Sequence, residues 1–175
     1  MIPKKTNKNN ISVANYSKAL YQLALGAAAK TQEELTKPAS LAQYKENVAD
    51  ATLGLLASGL WLVMHVAQKS IFRIEVRERA CKGLQDEFFK HIEEVSSGQC
   101  NKEEIEQYLK ELFVIYDKAW KNKSDPGNSW WLAEAMAREI LNAAEVPEIA
   151  VVIMVGEIES TLALGSRLAQ QYIVY

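Results

Sequence analysis

The chain has 175 residues, of which 49% are hydrophobic and 24% charged, and its mean hydropathy is -0.15. That length fits one domain with a sizeable core. A net charge of -2 supplies no field that would attract nucleic acid or an anionic membrane surface. Four prolines and eight glycines are too few for the many tight turns of an all-β fold, so the composition argues against that class.

The first eleven residues predict a disordered N-terminal arm, so the folded domain should span residues 12–175. The arm carries Lys4, Lys5 and Lys8, which we expect to be solvated rather than bound to nucleic acid. No apolar run follows these lysines, so no secretory signal is visible. Cys81 and Cys100 lie too far apart, along a predicted helix, to form an intrachain disulfide. We therefore expect reduced thiols in a cytoplasmic protein.

The first predicted helix runs from Ser12 to about Leu35, and Pro38 prevents its continuation. The second starts near Ala39 or Ser40 and ends with residues 51–68, a stretch of 18 residues without a formal charge. Crossing a membrane takes about 20 apolar residues. Because two glycines and a histidine make this stretch still less hydrophobic, we expect a buried central helix rather than a membrane span.

The third predicted helix runs from Ser70 to Val95. Its apolar stripe is out of phase with that of the preceding helix near Lys69, so we expect a break there. Whether the two helices form one rod or a hairpin stays open. Asn101 is expected to cap the fourth helix, with Glu104 as its capping-box partner.

Two further helices follow the polar turn KNKSDPGN. We expect Ser129 to cap the fifth helix, which should stop at Val146–Pro147. The sixth helix begins with that proline. It contains Ile149–Val155, which is apolar on every side, so residues 149–164 are predicted to form a second buried central helix. Together these patterns predict a single-domain, all-α bundle of about six helices.

Four residues of the uncharged stretch are candidates for a ligand site: Gly54, Gly59, Trp61 and His65. Each glycine costs a helix about 1 kcal/mol relative to alanine, which indicates a close neighbour. That neighbour is either a tightly crossing helix, which we favour, or a flat apolar ligand. A neutral imidazole at His65 could ligate a tetrapyrrole iron, although a histidine hydrogen-bonded within the core is the simpler explanation.

The chain lacks the patterns typical of catalysis or metal binding. His65 and His91 should lie about 24 Å apart even in a hairpin, too far to share a metal. No Glu-x-x-His, G-x-S-x-G, glycine-rich phosphate loop or C-x-x-C occurs. We therefore predict no catalytic residue, metal ligand or cofactor.

Two acidic residues, Glu157 and Glu159, follow the apolar run of the last helix. An unpaired carboxylate would be costly in that setting. We expect structural salt bridges to Arg138 or Arg167 rather than a functional carboxylate.

The apolar surplus of residues 51–68 and 149–164 suggests how the bundle works. We expect a non-enzymatic protein that acts through protein–protein contacts, as a homo-oligomer or with another protein. Trp130 and Trp131, directly after the turn, are the candidate interaction surface. A bundle that binds a small apolar or tetrapyrrole ligand near His65 is the alternative, and a membrane-associated helical protein is the second.

Overall fold

The computed structural model describes residues 9–96 and 100–174, and this part of the chain is almost entirely helical. It confirms the predicted all-α fold, with seven α-helices where about six were expected. In chain order the elements are β1 (Asn9–Ile11), α1 (Val13–Thr36), a 3₁₀ helix (Ala39–Tyr44), α2 (Lys45–Asp50), α3 (Thr52–Ser70), α4 (Ile74–Val95), α5 (Lys102–Lys121), α6 (Asn128–Leu141), α7 (Glu148–Gln171) and β2 (Tyr172–Val174).

Helix α3 is the centre of the bundle. It packs against α1, α4 and α7 and also touches α5 and α6. Twelve of its 19 residues are buried, because neighbours cover it on nearly every side. The uncharged stretch thus lies at the centre of the core, where its apolar side chains are removed from water.

Helix α7 departs from the prediction that residues 149–164 form a second buried central helix. Seven of its 24 residues are buried, all facing α1, α3 and α6. Outside this buried face, Ile149, Val152 and Leu164 are 40%, 50% and 47% exposed. The prediction was wrong for this helix because apolar composition indicates that a segment tends to be buried, not how many neighbours cover it.

The second predicted helix is broken rather than continuous. The 3₁₀ helix and α2 precede α3 and meet it at an angle of 84°. The break falls at Ala51, whose backbone (φ -79°, ψ 23°) leaves the helical region. Leu41 and Val48 explain the bend, because both are fully buried on the far side of it.

At the other end of α3, the extended residues Ile71 and Arg73 separate it from α4. The two helices pack on each other. They are therefore two packed helices, not one rod.

The helix caps agree with the sequence in one case and differ in another. The Asn101 side chain accepts hydrogen bonds from the backbone N–H groups of Glu103 and Glu104, so the predicted cap of α5 is confirmed. Helix α6 begins one residue before Ser129, with Gly127 (φ 121°) as its N-cap. It ends at Leu141, well before Val146, because the next residue adopts a left-handed backbone conformation.

The two ends of the described chain meet in a short parallel pair of strands. Residue Asn9 of β1 lies opposite Tyr172 of β2, and Ile11 lies opposite Val174. The sequence predicted a disordered arm over residues 1–11, whereas residues 9–11 form this strand. The reason is that β2, distant in sequence, supplies their backbone hydrogen bonds. Residues 1–8 of that arm lie outside the described residues.

One described helix, α7, is long and apolar enough to cross a membrane, with a mean hydropathy of 1.6 over its most apolar window. One third of that window is buried inside the bundle (33%). The 3₁₀–α2 segment and α3 pass the same test only when taken together across their 84° bend. Core helices of soluble proteins also meet this criterion.

Candidate functional site

The four α3 residues predicted to hold a ligand do not line one cavity. A Cβ added to Gly59 would lie 2.8 Å from the carbonyl oxygen of Ala24 on α1. Gly54 instead faces α5 and α6, where an added Cβ would lie 3.6 Å from the Tyr108 hydroxyl. Gly59 is therefore explained by the tight helix crossing that the sequence favoured, and the flat ligand has no space there.

Trp61 and His65 form an aromatic cluster with α5. The rings of Trp61 and His65 stack with centroids 5.1 Å apart, and Trp120 meets His65 edge-on at the same distance. The indole N–H of Trp61 donates to Asp117 at 3.0 Å. The cavity beside this cluster measures about 70 Å³, whereas ligand pockets usually span about 300–1,000 Å³. A tetrapyrrole does not fit beside His65.

The environment of His65 favours its neutral form. Burial lowers the pKa of this imidazole, the charge of Lys69 lowers it further, and Asp117 acts in the opposite direction. A neutral ring between two tryptophans contributes packing area without the cost of a buried charge. His65 thus serves as a neutral packing residue of this aromatic cluster.

A buried polar contact joins α3 to α5 near Gly54. The Ser58 hydroxyl donates to the Gly54 carbonyl oxygen at 2.8 Å and lies 2.9 Å from the Tyr116 hydroxyl. Because the serine proton is committed to the carbonyl, Tyr116 is the donor to serine. Burial raises the pKa of Tyr116, so it remains a neutral donor. Both hydroxyls are satisfied, as buried polar groups in cores usually are.

The predicted interaction residues separate into two environments. Trp130 is half-buried and packs against the core. Trp131 lines an open groove of about 570 Å³ between α5 and α6, and its indole N–H donates to the Ser124 carbonyl at 3.2 Å. The other apolar residues that line this groove are Leu112, Ile115, Ala119 and Ala135.

The rim of the α5–α6 groove carries a surplus of positive charge. Three cations, Lys118, Lys121 and Arg138, line it with two acids, Glu134 and Glu139. Glu134 pairs with Arg138 at 2.7 Å, and Glu139 accepts a hydrogen bond from the Tyr108 hydroxyl at 2.7 Å. Within residues 9–96 and 100–174, Lys118 and Lys121 make no ion pair. Both lie in the last turn of α5, where they complement the helix dipole.

The α5 wall of the groove escaped the sequence reasoning. Ile115 is 53% exposed and its neighbour Val114 is 65% exposed. Both lie off the buried stripe of this helix, which consists of Ile105, Leu109, Leu112 and Tyr116. Two adjacent apolar residues outside the core stripe were the signal that could have identified this surface.

The acidic pair of α7 also has different partners from those expected. Buried Glu157 forms an ion pair with Lys30 of α1 at 2.7 Å, rather than with an arginine, and Glu159 is exposed. The hydrogen bond to Glu157 raises the pKa of Lys30. The expected structural salt bridge therefore exists with another partner, because the prediction could not tell which helix packs beside Glu157.

Within the described ranges no three His, Cys, Asp or Glu residues come close enough to hold a metal ion. Comparison with models of protein families, with curated proteins and with solved structures found no match to the chain. Function must therefore be inferred from the surfaces of the bundle itself.

Proposed function

We propose that this protein is a self-associating helical bundle in which the α5–α6 groove receives the outer face of α7 from a second copy. The observation that carries the proposal is the groove itself, which is lined between two helices by half-buried Trp131 and exposed Ile115. Apolar grooves between helices are typical docking sites for an amphipathic helix. Monomeric proteins rarely leave such surfaces uncovered.

The outer face of α7 has the shape and charge that the groove requires. Val152, Gly156 and Ala163 are separated by four and then seven residues, about one and two helical turns, and therefore lie on one side of the helix. No atom lies within 4 Å of the position that a Cβ would take at Gly156, so another chain can approach closely there. Glu148 and Glu159 are exposed on this side. Their charge complements the unpaired lysines of the groove.

The positions of the two surfaces favour a closed dimer. Helix α6 packs against both α5 and α7, so the groove and helix α7 lie beside the same helix. A two-fold axis near α6 would place each α7 against the groove of the other copy. Such a contact is self-complementary and leaves neither surface open to further copies.

Sedimentation velocity of the purified protein tests the proposal. We expect a dimer for the native chain and monomers for Ile115→Glu in the groove and Val152→Lys on α7. Each change places a charge facing like charge across the interface. Val114→Glu is the matched control, because this exposed neighbour of Ile115 does not line the groove; it should remain dimeric.

Mixing the two monomeric variants separates this arrangement from others. One seam of the mixed dimer keeps a native groove and a native α7, and the other brings the introduced glutamate against the introduced lysine, so dimers should reappear. If α7 paired with α7 instead, Ile115→Glu alone would stay dimeric. A native chain that is monomeric at about 1 mM would overturn the proposal. So would sedimentation with liposomes that is lost in Val152→Lys, which would assign the face to a lipid surface.

The cytoplasmic location and the absence of enzymatic activity expected from the sequence remain predictions. The self-association proposed above depends on neither.

A further inference from the structure

A second cleft lies at the junction between α3 and α4, away from the α5–α6 groove. Its volume is about 210 Å³, and its walls come from α1, the α3–α4 junction, α7 and β2. The residues that matter here are Tyr16, Ser70, Phe72, Arg73 and Tyr172. An apolar cavity of about 150 Å³ is enough to hold benzene. The cleft therefore suits a molecule of one ring or a short alkyl chain.

Tyr16 brings an unused hydrogen-bonding group to this cleft. Its side chain is fully buried, and its hydroxyl has no hydrogen-bond partner among the described residues. The Ser70 hydroxyl lies beside it and acts to lower the pKa of Tyr16, but the two hydroxyls are not in hydrogen-bonding geometry, and Ser70 donates to the Val66 carbonyl at 2.6 Å. Burial raises the pKa of Tyr16 to about 12, so the hydroxyl keeps its proton. A buried donor that forms no hydrogen bond requires an explanation.

The mouth of the cleft favours an anion. Arg73 is exposed and forms no ion pair within the described ranges. It is also the N-cap residue of α4, and no side chain caps that helix end. A guanidinium group beside free N–H groups at the positive end of a helix is a favourable setting for a carboxylate. Beside it, the Phe72 side chain is 94% exposed.

We propose that this cleft binds a small organic carboxylate whose apolar body is one ring or a short alkyl chain. Arg73 pairs with the carboxylate, and Tyr16 donates a hydrogen bond to it. Tyr16 and Arg73 line the same cleft, so both groups are assigned to one carboxylate. Phe72 closes over the apolar body and thereby loses its exposure to water.

Isothermal titration calorimetry with two matched pairs of probes tests the site: hexanoate against 1-hexanol, and benzoate against benzyl alcohol. We expect saturable binding of at least one acid and weaker binding of its alcohol. Arg73→Gln should weaken binding of the acid about tenfold and leave the alcohol unchanged. Arg79→Gln, an exposed arginine of α4 outside the cleft, is the control and should bind like the native chain.

Tyr16→Phe tests the buried hydroxyl and has an unusually close control. Tyr21 lies on the same helix, is also buried and also has a hydroxyl without a partner, but it does not line the cleft. We expect Tyr16→Phe to weaken acid binding about tenfold and Tyr21→Phe to leave it unchanged. The melting temperature of each unliganded variant should not fall, because each loses an unsatisfied polar group.

Three results would overturn the proposal. The first is no saturable binding of either acid up to about 10 mM. The second is equal affinity for an acid and its alcohol, and the third is unchanged acid affinity in Tyr16→Phe. The titration is repeated with the monomeric Val152→Lys variant to separate this site from self-association. Acid affinity should be unchanged, since the cleft and the dimer contact share no residue.

Discussion

Helices α3 and α7 are alike in composition but differ in how much of each is buried. Both are rich in apolar residues, and the sequence predicted that both lie at the centre of the bundle. Twelve of 19 residues are buried in α3, but only seven of 24 in α7. Helix α3 has neighbours around nearly its whole circumference, whereas α7 has them on one side.

This contrast shows how apolar surface in a sequence should be interpreted. Burial is favourable in proportion to the apolar area removed from water and has no preferred direction. An apolar helix can therefore satisfy this tendency within its own chain, as α3 does. It can also keep part of its surface available for another molecule, as we propose for α7. The following experiments test whether the two helices differ energetically as their burial indicates.

The largest effect is expected from a matched pair of leucines. Leu60 of α3 is fully buried, and Leu164 of α7 is 47% exposed. Leu60→Ala should lower the free energy of unfolding by about 2–5 kcal/mol, because it opens a cavity in the core. Leu164→Ala should change it by less than about 0.5 kcal/mol. Urea unfolding at low protein concentration measures both; similar losses would show that α7 is as buried as α3.

Two glycines provide a second pair. Gly59→Ala should cost about 1–3 kcal/mol, because the new methyl group meets the backbone of Ala24. Gly156→Ala should stabilise the monomer by up to about 1 kcal/mol, since open space surrounds it and alanine is the better helix former. Thermal and urea unfolding of the two variants report the sign. A stabilising Gly59→Ala would mean that α1 and α3 do not cross closely there.

The Lys30–Glu157 ion pair tests the buried side of α7. Lys30→Met removes the cation and leaves a buried carboxylate without its partner, so the protein should lose stability. Glu157→Gln in the Lys30→Met background should restore part of that loss, because it removes the unpaired charge. Urea unfolding of both single variants and the double variant completes the cycle. Strict additivity of the two changes would show that the pair is not coupled.

The smallest effect concerns pH and His65 of α3. Burial lowers the pKa of this histidine in the folded protein below its ordinary value near 6.5. Below about pH 6.5 the unfolded chain therefore binds a proton that the folded chain does not. Stability should fall as the pH decreases from there to the folded-state pKa, and His65→Gln should remove this part of the dependence. His91→Gln is the control and should retain it. An unchanged profile in His65→Gln would contradict the assignment.

Local chemistry made much of the fold predictable. Asn101 followed by Glu104 identified the start of α5, and Pro38 limited α1, because capping and proline geometry act over a few residues. The tight crossing at Gly59 was also favoured from sequence, since glycine in a helix has a cost that a close neighbour explains. The bend at Ala51 was not predictable, because it depends on how the 3₁₀ helix and α2 pack against α1 and α6.

The sites depended on tertiary structure to a greater degree. The sequence grouped Gly54, Gly59 and His65 because they are neighbours along one helix. In the structure Gly59 meets α1, Gly54 faces α5 and α6, and the His65 ring contacts Trp120 of α5. The α5–α6 groove and the cleft at Tyr16 bring together residues from separate elements, which no local pattern predicts.

Residue content and periodicity were sufficient to establish that this chain is an all-α bundle with two apolar helices, because both are properties of each segment taken separately. Which of those helices forms the core followed from the packing of the whole chain. Helix α3 is covered by neighbours and α7 is left with an open face, because coverage depends on how all the helices pack together.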